Sequence, residues 1–194
     1  MSQVSRYHPL LVVLHWLLAL LVPVALVLGI WVMAPIPNDS PMKAEALRGH
    51  MAGGILILTL MVLRLLVRIS TGRPASAPTG STLLDRLAWV SHRALYAAVI
   101  SMAAVGLLLA IESGILGILV GKPAQIPADF WVYNARFAHY LISRFLLLLI
   151  ALHIAGALYH ILLRKDGLLR RMWFGKRISK KEEAEASRAA RGSF

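Results

Sequence analysis

The chain has 194 residues, 58% of them hydrophobic, a mean hydropathy of +0.69 and a formal net charge of +12. So apolar a composition excludes an ordinary soluble domain of this length and points to a membrane protein. The absence of cysteine excludes disulfides, cysteine-ligated iron–sulfur clusters and thioether-attached haem, which leaves any metal centre to the seven histidines, to carboxylates or to methionines.

In chain order, residues 1–9 are a short polar lead carrying Arg6 and His8, and His8 is given no role. The first apolar run, residues 10–34, is longer than the about 7–15 residues of a signal-peptide core, and it contains His15 and Pro23. It reads as a retained membrane span. Pro35, Pro37, Asn38, Asp39 and Pro41 break the pattern before a second run at 49–67, which opens on His50 and contains Arg64. Thr71, Gly72, Pro74, Pro78 and Gly80 separate it from a third run at 94–111, just preceded by His92. Gly121, Pro123 and Pro127 precede the fourth run, 137–163, with His139, Arg144, His153 and His160. A bilayer core needs about 20 mostly apolar helical residues, and each run meets that need. The expected fold is therefore all-α: an integral membrane four-helix bundle over residues 10–172, with a basic tail at 173–194. The Ala-rich, charged stretch 180–190 reads as a frayed helix or as disorder, and carries no assigned function.

The charge is unevenly placed. Lys and Arg outside the spans number 15 in the N-terminal lead, the second connection and the tail, against 4 in the other two connections (Lys43, Arg48, Lys122 and Arg136). Basic loops stay in the cytoplasm, so both termini are expected there. Retention inside and contact with anionic lipid account for the basic tail without nucleic acid.

With that orientation His15 lies near the cytoplasmic surface and His50 near the outer one. Span 4 enters from outside, so His139 is shallow on the outer side and His153 lies about 21 Å deeper. Fourteen residues turn a helix to within about 40° of four full turns, so both histidines share one face. Depth then pairs His15 with His153 and His50 with His139. A single intramembrane histidine commonly serves as a helix-to-helix hydrogen bond. Four at two matched depths suit two low-spin haems, each held by histidines from facing helices. Gly29, Gly53, Gly54 and Gly156 fall on or near the ligand faces, where a flat macrocycle needs room. Arg64 lies 14 residues below His50 and Arg144 within two turns of His139, so each is a candidate partner for a haem propionate.

These features resemble the bacterial cytochrome b561 family, in its small, four-helix, di-haem, superoxide oxidase-like members. The resemblance covers roughly residues 7–172. It is carried by Leu14-His15-Trp16, by the stretch after His50 (GGILILTLMVLRLLVR), by HRALY from His92, and by ALHIAGALYHILLRKDGLLRRM from Ala151. The resemblance implies axial ligation of two haem b by His15, His50, His139 and His153. It also implies electron entry at the outer haem and a quinone, ubiquinone as co-substrate, beside the cytoplasmic haem. His92 and His160 lie at that surface and fit the implied quinone site.

The expected function is electron transfer from a small periplasmic one-electron donor, superoxide among the candidates, to the membrane quinone pool. Bis-histidine ligation fills both axial positions, so transfer is outer-sphere and no residue is read as catalytic. Lys43, Arg48, Arg136 and Arg144 are the charges available to attract an anionic donor, and Asp39, Glu45, Glu112 and Asp129 balance them by count. One alternative is an anchor subunit passing electrons from a partner hydrogenase or dehydrogenase, for which a docking loop or extra span would speak. A histidine-lined metal transporter would need carboxylates inside the spans, and there are none.

Overall fold

The computed structural model describes residues 4–72, 74 and 79–175; residues 180–190 lie outside that set. Helix α1 spans Pro9–Val27 and continues as a wider π-helical turn, Leu28–Met33, in which Ala34 N–H donates to Gly29 O, five residues back. His8 caps α1, its Nδ1 accepting from Leu10 N–H, and Pro9 occupies the first helical position, where its missing N–H costs nothing. Pro41 acts in the same way. Counted above among the breaks, it instead starts α2 (Pro41–Ser70) behind the cap of Ser40, whose Oγ accepts from Met42 N–H. Helix α3 spans Thr82–Glu112, and α4 spans Asn134–Leu158 before widening into a second π-helical turn, Tyr159–Arg164.

Four helices among the described residues are thus long and apolar enough to cross a bilayer. They outrun the apolar stretches that announce them, α3 starting 12 residues before its run and α2 eight before its own. At 1.5 Å per residue the 31 residues of α3 reach about 46 Å, against an apolar core of about 30 Å. Hydropathy marks the hydrocarbon, whereas backbone hydrogen bonding continues through the headgroup layer.

The helices alternate in direction. One end of the bundle holds both described chain ends: Tyr7 N–H donates to Arg171 O, and Trp16 Nε1–H donates to Met172 O. This is called the terminal end below, and its opposite the far end. Between them lies a layer built from all four helices: Leu18, Val22 and Leu26 of α1, Ile57 and Met61 of α2, Ala98 and Val99 of α3, and Leu146 and Leu149 of α4. Outside this layer large side chains such as Leu20, Leu66 and Leu148 are exposed, the pattern of a bundle whose solvent is lipid. A second cluster closes the far end, where Leu47 and Ala110 meet Ile118 of the short 3-10 turn Leu116–Val120 and Ile115 just before it. Arg48 Nε donates to Ile118 O, and Asn38 Nδ2 to Pro127 O and Ala128 O, tying the far-end connections together.

Candidate haem-binding site

On each of the four helices, two candidate residues stand 14 positions apart: His15 and Gly29, His50 and Arg64, His92 and Gly106, His139 and His153. Alternating helix direction sends one member of each couple to each end. His15, Arg64, His92 and His153 gather at the terminal end; Gly29, His50, Gly106 and His139 gather at the far end.

At the far end the His50 and His139 rings face each other, with centres 6.1 Å apart and planes at 76°. Each ring is backed by a glycine of a neighbouring helix. A methyl group at Gly29 would stand 3.2 Å from His50 Cε1, and one at Gly106 would stand 3.0 Å from His139 Cε1, closer than ordinary carbon contacts allow. The π-helical turn after α1 carries Gly29 to this position. His139 Nδ1 is buried and makes no hydrogen bond of ordinary geometry, although the Met102 backbone lies beside it. Both histidines line a cavity of about 440 Å³, within the range of pockets that enclose ligand-sized molecules. Gly54, Arg136, Tyr140 and Arg144 also border it. Arg136 stacks over Trp131 at 4.6 Å and Arg144 over Tyr140 at 4.9 Å.

Two of the charges considered for donor attraction are spent otherwise. Lys43 is only 5% exposed and donates through Nζ to Met33 O and Ile36 O, so it holds the first connection in place instead of offering surface charge. Arg48 is engaged by Ile118 O and Glu45.

At the terminal end the His15 and His153 ring centres are 6.2 Å apart, with planes at 77°. Arg64 Nη2 lies 3.3 Å from His15 Nδ1, while its Nε is buried with no partner. Tyr96, against whose ring both Arg64 and Arg68 pack, likewise has a buried, unpartnered hydroxyl. The His92 ring stands 5.2 Å from that of His153, and its Nδ1–H donates to Ala88 O. His160 is not part of this group; its Nδ1 lies 2.6 Å from Asp166 Oδ2.

Two imidazoles sharing one iron, each bound at about 2 Å, have ring centres about 6 Å apart. Both pairs meet that separation. The buried, unpartnered Arg64 Nε and Tyr96 hydroxyl call for an acceptor such as a propionate carboxylate, because unmet buried donors are costly. The residues present therefore fit a haem at each end. Gly53, Gly54 and Gly156, read as making room, have open space beside them, with Gly54 on the cavity wall. The direct ring contacts come from Gly29, whose partner is His50 on the next helix, and from Gly106, which sequence reasoning passed over. Its signal was present in the 14-residue spacing from His92.

The profile of prokaryotic cytochrome b561 matches residues 6–175. The probable superoxide oxidase CybB of Yersinia pestis is 29% identical over 178 residues, covering 89% of this chain and 98% of that protein. Cytochrome b561 homolog 2 of Escherichia coli (strain K12) is 29% identical over 183 residues, covering 87% and 91% of the two chains. Together with four apolar spans, these matches make this a bacterial multi-pass membrane protein of b-type cytochrome electron transfer, and the chain belongs to the prokaryotic cytochrome b561 family.

Proposed function

We propose that the protein is an inner-membrane di-haem cytochrome that takes electrons from superoxide on the periplasmic side and delivers them to ubiquinone at the cytoplasmic side. Its carrying observation is the recurrence, at both ends of the bundle, of two histidine rings about 6 Å apart on facing helices. His15 and His153 hold one haem b, His50 and His139 the other, and the far end is periplasmic by the distribution of basic residues. Bound haem would supply one-electron chemistry, and with both axial positions filled it would take no substrate at iron.

The side chains around each pair have separate tasks. Arg136 and Arg144 border the far-end cavity and give it positive charge, which favours approach of an anionic donor. Arg144 also serves a propionate there. At the terminal end Arg64 is the propionate partner. Guanidinium only donates, so its contact with His15 requires Nδ1 as acceptor. Were His15 to hold haem through Nε2, its ring proton would sit on Nδ1 and Arg64 would turn to a carboxylate. His92 and His160 each have Nδ1 engaged by a neighbour, Ala88 O or Asp166, which leaves Nε2 for quinone oxygens.

The superoxide reading draws on the name of the Yersinia pestis relative and on the cationic border of the far-end cavity. It is tested with the purified protein in liposomes exposed to a superoxide-generating oxidase, with and without a soluble ubiquinone analogue. Reduction of the haem bands that superoxide dismutase blocks, followed by reoxidation on adding quinone, is the expected result. Reduction insensitive to dismutase would remove superoxide as donor, and reduced bands that quinone leaves unchanged would remove quinone as acceptor.

A further inference from the structure

Beyond the second π-helical turn the chain reverses through Lys165 (φ 51°) and Gly167 (φ 69°), which returns Asp166 to the end of α4. There Asp166 Oδ2 lies 2.6 Å from His160 Nδ1, while its Oδ1 accepts from Leu168 N–H. The side chains are 13% and 26% exposed, and the contact sits at the edge of the bundle, open to water. Other charged and titratable groups surround it. Arg164 Nε stands 3.9 Å from Asp166 Oδ2, and the Tyr159 ring packs 5.7 Å from that of His160. From the first turn of α3, Asp85 acts electrostatically on both His160 and Arg164. Asp85 is itself fixed by Thr79, whose carbonyl oxygen accepts from Arg164. The hydrogen bond from His160 holds the Asp166 carboxyl below the usual carboxylate range, so Asp166 is ionised at neutral pH.

A carboxylate only accepts, so a bond this short requires the proton on Nδ1. An orienting acid of this kind fixes the tautomer and orientation of a histidine that exchanges protons at its other nitrogen. We infer that Asp166 is a positioning residue for His160, holding Nδ1–H so that Nε2 hands protons to the quinone oxygens as the quinone is reduced. This rests on the quinone reading given above. The balance is simple: quinone, two electrons and two protons give quinol. Bound haem would supply the electrons one at a time. Each proton leaves His160 Nε2 for a quinone oxygen and is replaced from cytoplasmic water, with Nδ1–H and the Asp166 charge unchanged throughout.

The test follows reoxidation of the pre-reduced full-length protein by a soluble ubiquinone analogue, as a function of pH, in wild type, Asp166→Asn, Asp166→Glu and His160→Gln. The optical spectrum of each variant reports whether the fold and its haems are intact. Asp166→Asn is expected to slow reoxidation about tenfold. It is also expected to move the alkaline limb of the rate–pH profile to lower pH, because the protonated ring loses its neighbouring negative charge. Asp166→Glu restores most of the rate and the wild-type limb. Wild-type rate and profile in Asp166→Asn, beside a slow His160→Gln, would overturn the role of Asp166 and leave the quinone site standing. A slower rate with no displaced limb would likewise overturn it, reducing Asp166 to a structural support. Unchanged reoxidation in His160→Gln would remove His160 from the quinone site, and the inference with it.

Discussion

At the far end each histidine ring lies against a glycine of another helix, and a side chain at either glycine competes with the ring for the same space. Gly106 is the tighter case, with its would-be Cβ 3.0 Å from His139 Cε1. Gly106→Val should displace the ring at an overpacking cost of about 1–3 kcal/mol. Bound haem is then expected to fall from two to about one per chain, the terminal-end spectrum surviving, as pyridine haemochrome quantitation would reveal. The histidine pairs are legible in the sequence because depth and the helical repeat are both read by counting residues: His139 and His153 share a face, and His15 and His50 open adjacent spans at opposite surfaces. Gly106 is harder to read, because its 14-residue spacing from His92 gains meaning only once His139 of α4 is known to face it, a tertiary fact. Lys43 was misplaced for a related reason. Its charge suggests surface, yet two carbonyl oxygens freed in the first connection, Met33 O and Ile36 O, draw its Nζ inward.

Each helix contributes three successive depths: a residue for one site, an apolar stretch, and a residue for the other site. The apolar stretch separates the two histidine pairs and, with no hydrophobic drive between helices in lipid, holds by close packing. Leu146 of α4, 2% exposed, lies in that layer one step from Leu149. Leu146→Ala should leave the axial histidines in place while costing about 2 kcal/mol or more through the cavity it creates. A lower thermal midpoint in detergent with unchanged haem content is the expected outcome, and an unchanged midpoint would contradict the packing assigned to this layer. Four spans and their alternation were readable from hydropathy. The ends of the helices were not, because caps such as Ser40 and Ser81 and a proline at the first helical position extend them beyond the apolar runs. The two π-helical turns left no clear mark in the hydrophobic pattern, yet one sets Gly29 on His50 and the other leads to the Asp166 contact.

For the whole molecule, the far-end connections brace one histidine pair and the two described chain ends brace the other. Arg6 Nη1 donates to Arg170 O and Trp16 to Met172 O, closing the terminal end beside the His15 and His153 pair. The proposed function requires that a single chain bind two haem b, one at each pair of histidine rings. The most direct measurement is haem per chain, by pyridine haemochrome and reduced-minus-oxidised spectra, on detergent-purified wild type, His50→Ala and His153→Ala. Two b haems in wild type and one in each variant, with different residual spectra, is the predicted result. A single haem in wild type, or the same residual spectrum in both variants, would contradict it.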